Sequence, residues 1–354
     1  MGLSRKGYTA LKDQKEKVQR VDIGGQAVLE GVMMKSPDYI ALAVRRPDGS
    51  VVLKRDPYEA PSKKHKWMGW PLLRGMVNMV LMLSMGMKTL DDSAKMGGAA
   101  EEEPTKFELW LAKKLGKGVD KVVMGVAIVL ALCLSMGLFV LLPNTIVKLF
   151  PADASAGMLL LKNLVTGVLR TVILLGYLYL CGRIPDMNRT FRYHGAEHKT
   201  VYCHEAGLEL TPANARGFTT LHPRCGTSFM LITFILSIVF YSIFDVLVLS
   251  LTGFDLGAHY FLRVATRLLL LPLVAGISYE VLKLLAHKEN KCTVALRKPG
   301  MMLQKLSTAE PDDGMLEVAI IAMKAALGDM PEGPLTEEGY IIAVPAPEKE
   351  EKEA

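Results

Sequence analysis

The chain has 354 residues, half of them hydrophobic, with a formal net charge of +6 and a positive mean hydropathy. The apolar residues fall in blocks, which excludes a single large soluble core and points to a helical membrane protein. In such a chain the excess Lys and Arg reads as positive-inside bias, and nucleic-acid binding is not expected.

Residues 1–20 form a basic leader expected to be mobile. With no apolar stretch they are not expected to act as a cleavable signal peptide, and Lys6 breaks the myristoylation pattern that Gly2 would begin. The five cysteines are odd in number and lack a Cys-x-x-Cys pair, so no disulfide framework is expected. Residues 21–66 read as a cytosolic β-hairpin segment. Tyr39–Val44 and Val51–Lys54 flank the turn-forming Arg46-Pro-Asp-Gly49. The preceding Gly24–Met34 stretch is glycine-rich and holds one carboxylate, Glu30, which reads as a metal ligand or as a turn residue.

Residues 67–95 carry apolar side chains at helical spacing, with Arg74, Asn78 and Lys88 among them. An amphipathic helix lying on the membrane is expected. A polar linker covers 97–105. The membrane region, 106–286, contains four runs long enough to span: about 122–142, 164–181, 229–251 and 268–285. Asp245 lies in the third, with Arg170 of the second as its expected partner. Glu280 lies near the end of the fourth, as a functional acid or as the partner of Lys283. Lys and Arg cluster before the first span, between the second and third, and after the fourth. Both termini and the 183–228 loop of a multi-pass chain are therefore expected in the cytosol. Residues 287–327 resume a soluble pattern that should pack on a small α+β cytosolic cap. The Pro- and Glu-rich 328–354 is expected to be a disordered acidic tail.

The chemistry concentrates in the 183–228 loop. His194-Gly-Ala-Glu-His198 reads His-x-x-Glu-His, the reverse of the zinc-protease signature. Residues four apart share one helix face, so both imidazoles can reach one divalent ion, with Glu197 placed to act as a base on water. Glu205 falls on the same face. His222-Pro-Arg-Cys225 offers a further imidazole and thiol. His194 and His198 with His222 or Cys225 make a three-ligand set with an open position. All four together would close the site and make it structural. Zinc is the metal that this mixture of ligands favours. Asp312 and Asp313 read as metal-directed acids or as the cap of a helix beginning there, with capping the default.

Gly24–Met34, His194–Thr200, Asn214–Arg216, His222–Ser228, Gly276–Glu280 and Glu310–Asp313 appear in order, and with them the chain resembles the YqhQ-like family of bacterial membrane proteins. These are commonly described as predicted metal-dependent enzymes. The resemblance runs from about residue 22 to 327. It implies a polytopic cytoplasmic-membrane protein in which Glu30, Glu280 and the Glu310–Asp313 segment join the His cluster in one cytosolic site. Two functions fit. One is a metal-dependent, zinc-type hydrolase acting on a membrane-proximal substrate. The other is a non-catalytic biogenesis or scaffolding factor with a structural metal. A transporter fits less well, with four spans and no visible inverted repeat.

Overall fold

The computed structural model describes residues 23–98, 119–151, 155–287 and 290–347. The leader 1–20, most of the 97–105 linker and the last seven residues lie outside it. Five strands form an antiparallel sheet in the order β1-β2-β3-β4-β5: Gly24–Val28, Gly31–Lys35, Tyr39–Arg45, Val51–Pro57 and Ile341–Val344. The expected hairpin is β3-β4. Gly49 takes φ 89° in its turn, and Asp48 accepts from the Ser50 N–H at 2.8 Å. The glycine-rich stretch forms a second hairpin, β1-β2, with Val28 opposite Gly31. Glu30 sits in its tight turn with φ 50°, a conformation uncommon for a side-chain-bearing residue.

The tail reading fails at its start. Residues 328–347 are described, and β5 extends the sheet by pairing Leu53 with Ile341 and Val52 with Ile342. The four apolar residues Ile341-Ile-Ala-Val344 provide the strand that the surrounding Pro and Glu content conceals.

Both sheet faces are covered, which explains the near-continuous apolar runs of β2 and β3. One face, with Val32, Met34, Ala41, Ala43, Val51 and Leu53, packs against two helices. These contribute Tyr193, Ala196 and Val201 on one side and Leu316, Ala319 and Met323 on the other. The opposite face, with Met33, Leu42 and Val44, packs around Met96. Met96 ends helix α1 (Leu73–Met96), whose other end meets the fourth span. There a Cβ on Gly75 would lie 2.8 Å from the Gly276 Cα, so the crossing tolerates no side chain. Val80, Leu83 and Met87 on α1 stay exposed.

Among the described residues four helices are long and apolar enough to cross a membrane: Gly125–Val147, Gly157–Cys181, Gly226–Thr252 and Phe261–Leu285. The chain is thus a helical membrane protein with a small antiparallel sheet. The first span comprises α2 (Val119–Met136), a π turn and α3 (Leu142–Val147). The others lie in α4 (Ala156–Cys181), α7 (Gly226–Thr252) and α8 (Tyr260–His287). The connection between α4 and α7 holds α5 (Pro185–Glu205) and the short α6 (Pro212–Arg216). After α8 come α9 (Lys291–Ser307) and α10 (Asp313–Ala326). Asp245 does not pair with Arg170. It accepts from Arg267 at 2.8 Å, Arg263 at 3.3 Å and Asn163 at 3.0 Å, while Arg170 donates to the Phe139 carbonyl at 2.9 Å. Spacing decides this: Arg263 and Arg267 lie four apart on one face of the neighbouring helix.

Candidate metal centre

Helix α5 begins at Pro185, where the missing N–H costs nothing, and carries Asp186 in its first turn. Its middle, from Tyr193 to Val201, is buried except for a partly exposed His194. The polar face of this helix points into protein. That inversion of the usual pattern marks a site rather than a surface.

His194, His198 and Cys225 offer ligand atoms that all lie within 4.8 Å of one another. His194 Nε2 is 3.2 Å from Cys225 Sγ. Cys225 caps the N-terminus of α7, with its sulfur 3.5 Å from the Thr227 N–H. Two backbone carbonyls fix the histidines. His194 Nδ1 lies 2.8 Å from the Ser307 oxygen, and His198 Nδ1 bonds the Thr220 oxygen. A carbonyl only accepts, so each Nδ1 carries the proton and each Nε2 keeps its lone pair. This is the outer-shell arrangement that metal-ligating histidines use. His198 Nε2 is buried with no hydrogen-bond partner among the described residues. An orphaned acceptor beside a thiol and a second unprotonated Nε2, which that thiol meets, fits a soft divalent ion such as zinc.

His222 stands beside this group but outside it. Its ring centroid is 5.6 Å from that of His198. Its Nδ1 accepts from the Arg224 N–H at 3.4 Å, which leaves the proton on Nε2, 3.6 Å from Glu205. Gln304, fully buried on α9, clamps it: the His222 N–H donates to Oε1 at 2.7 Å, and Nε2 donates to the His222 carbonyl at 2.7 Å and to Ser228 Oγ at 2.8 Å. Burial pushes the His222 pKa down to about 4 and lowers that of His198.

Glu197 is buried, and its Oε2 has no partner among the described residues. Burial raises its pKa; the nearby His194 and His222 and the Gly25 N–H oppose that rise. A carboxyl held this way is a candidate general base.

The other acids are elsewhere engaged. Glu30 pairs with Arg189 and lies 3.4 Å from Tyr193 Oη. Glu280 pairs with Arg74, not Lys283, as its nearest cation. Asp312 caps α10 through the Met315 N–H at 2.9 Å and pairs with Arg192 at 2.9 Å, while Asp313 pairs with Arg216. Glu310 pairs with the buried Lys199, and Glu205 with Arg224. The single shared site of acids and histidines is therefore not what these side chains form. Each acid has an Arg or Lys within reach. Thr220, Gln304 and Ser307, which hold the site, had no signal in the sequence, since two of the three act through backbone atoms.

The chain matches, over residues 70–329, the family described as "Protein of unknown function (DUF1385)". It belongs to this family. The matched stretch runs from α1 through α10 and includes His194, His198, His222 and Cys225; strands β1–β4, with Glu30, precede it. The chain is also 33% identical over 301 residues to "Uncharacterized protein YqhQ" of Bacillus subtilis (strain 168), covering 84% of this chain and 89% of that one. No solved structure matches it.

Proposed function

We propose that this DUF1385 member is a metal-dependent hydrolase whose site faces the cytosol at a bacterial cytoplasmic membrane. The observation that carries this reading is the convergence of His194, His198 and Cys225 beside a buried carboxylate, with both Nε2 lone pairs freed by bonds from Nδ1 to carbonyls. Three protein ligands with an open position is the catalytic pattern, and zinc is the metal that suits the donors. When bound, the metal supplies Lewis acidity. The remaining chemistry falls to the chain. Glu197 accepts the proton of the attacking water, its raised pKa bringing it closer to neutrality. The Ser307 and Thr220 carbonyls keep the imidazoles in one tautomer through the cycle.

Placement rests on charge. Arg183, Arg189, Arg192, Lys199, Arg216 and Arg224 all lie between the second and third spans, which supports a cytosolic loop and cytosolic termini. The packing of the sheet, α5 and α10 into one core accords with that. The exposed apolar side chains of α1 would then lie in the membrane interface, and the substrate would be membrane-proximal.

Metal analysis of purified protein tests the reading. One equivalent of zinc, manganese or iron is expected in wild type and in Glu197→Gln, and none in His194→Ala or Cys225→Ala. Glu197→Gln should fail to complement a knockout. Unchanged metal content in His194→Ala, or full complementation by Glu197→Gln, would refute it.

A further inference from the structure

The membrane region holds a second polar feature, remote from the His–Cys cluster. Asp245 lies 20 residues beyond Cys225 along α7, about 30 Å at the helical rise. It therefore sits toward the opposite membrane face. Beside it is a cavity of about 310 Å³ between the four spans. Arg170, Arg263 and Arg267 line it, together with Asn144, Asn163 and Tyr241. The rest of its wall is largely apolar, including Phe139, Ile238, Leu268 and Leu271.

Three guanidinium groups line this cavity, and among the described residues the buried Asp245 meets two of them, Arg263 and Arg267. Arg263 Nε is also buried with no hydrogen-bond partner among the described residues. Ionised groups in a membrane span are costly unless neutralised, and a buried donor without a partner adds to that cost. A concave apolar site with a few convergent polar groups is the usual form of a ligand pocket.

We infer that this cavity binds the phosphate of an anionic phospholipid from the leaflet opposite the His–Cys cluster. The guanidinium groups take the phosphate oxygens, for which their forked geometry is suited. The acyl chain lies along Phe139, Ile238 and Leu268. Asp245 holds Arg263 and Arg267 in place and keeps the site from being so cationic that release would be slow.

Native mass spectrometry of the full-length protein in neutral detergent tests this, with phosphatidylglycerol, phosphatidylcholine or inorganic phosphate added separately. One phosphatidylglycerol per chain should be retained, at least about tenfold more tightly than phosphatidylcholine, which has the same phosphate but a quaternary ammonium that the guanidinium groups repel. Arg170→Gln should weaken retention by about the same factor. Ser237→Phe fills the cavity wall without altering a charge and should abolish retention, which keeps the test decisive if the arginine variant folds poorly. Equal retention of both lipids, or unchanged phosphatidylglycerol binding in Ser237→Phe, would overturn the inference. Protection by inorganic phosphate equal to that by phosphatidylglycerol would identify a free oxyanion as the occupant and overturn the lipid assignment.

Discussion

Gly25 lies on β1, far in sequence from His-x-x-Glu-His, yet it forms the wall against which Glu197 rests. A Cβ placed there would be 2.8 Å from Glu197 Cγ, 2.9 Å from Glu197 Cδ and 2.8 Å from the Met33 carbonyl oxygen. Ordinary carbon contacts begin near ~3.5 Å, so Gly25→Ala requires a displacement of about 0.7 Å. Met33 belongs to the central part of the sheet and is held by β2-β3 pairing, so its carbonyl resists. Glu197 must give instead. Overpacking of this kind costs about 1–3 kcal/mol. Misplacing a catalytic group by about 1 Å can cost on the order of a hundredfold in rate. The variant should therefore bind metal at wild-type stoichiometry, since no ligand is touched, and yet fail to complement. Chemical unfolding in detergent reads the stability, and metal analysis reads the site. Gly24→Ala is the control: nothing lies within 4 Å of its Cβ position, so a change within about 0.5 kcal/mol is expected. A Gly25→Ala protein as stable as wild type and fully active would refute the placement of Glu197 against β1.

Gln304→Ala strands the His222 N–H and carbonyl in a buried site, so a loss of about 3 kcal/mol is expected in unfolding experiments. Because the His222–Cys225 turn loses its clamp, a competition assay with a chromogenic chelator should show metal affinity falling by roughly 10- to 100-fold. In chelator-treated protein, the folded-state pKa of His222 is about 4 against an ordinary 6.5. The unfolded chain then binds the extra proton between those values, so the stability present above pH 6.5 is lost as pH falls toward 4. Over that interval the loss is on the order of 3 kcal/mol, and His222→Gln should flatten it in a pH series of unfolding curves. Adding zinc back should raise the unfolding free energy in a concentration-dependent way, by about 2.7 kcal/mol at a hundredfold excess over the dissociation constant; an unfolding midpoint insensitive to zinc would argue against a metal in the native fold.

The parts of this molecule that can be read from its sequence are those set by periodicity. The i, i+4 spacing of His194 and His198 fixes a shared helix face whatever surrounds it, and the four spans announce themselves by length and hydropathy. The parts that cannot be read depend on partners brought from far along the chain. Glu30 and Arg189 are 159 residues apart, and Glu280 and Arg74 are 206 apart. Each acid looks like a free candidate ligand until the fold supplies its cation. The choice between His222 and Cys225 is similar in kind. Three residues apart, both can reach the site. What separates them is that the Arg224 N–H engages the His222 ring at Nδ1, while the Cys225 sulfur is turned toward His194. The outer shell is the least legible of all, because a backbone carbonyl is present at every residue and Thr220 and Ser307 differ from the rest only in where they end up. A sequence can thus nominate ligands by type and spacing, but the tautomer that makes a histidine a ligand is decided by tertiary contacts. For this chain the two carbonyls are as diagnostic of a metal centre as the His-x-x-Glu-His stretch itself, since without them nothing would aim either Nε2 at Cys225.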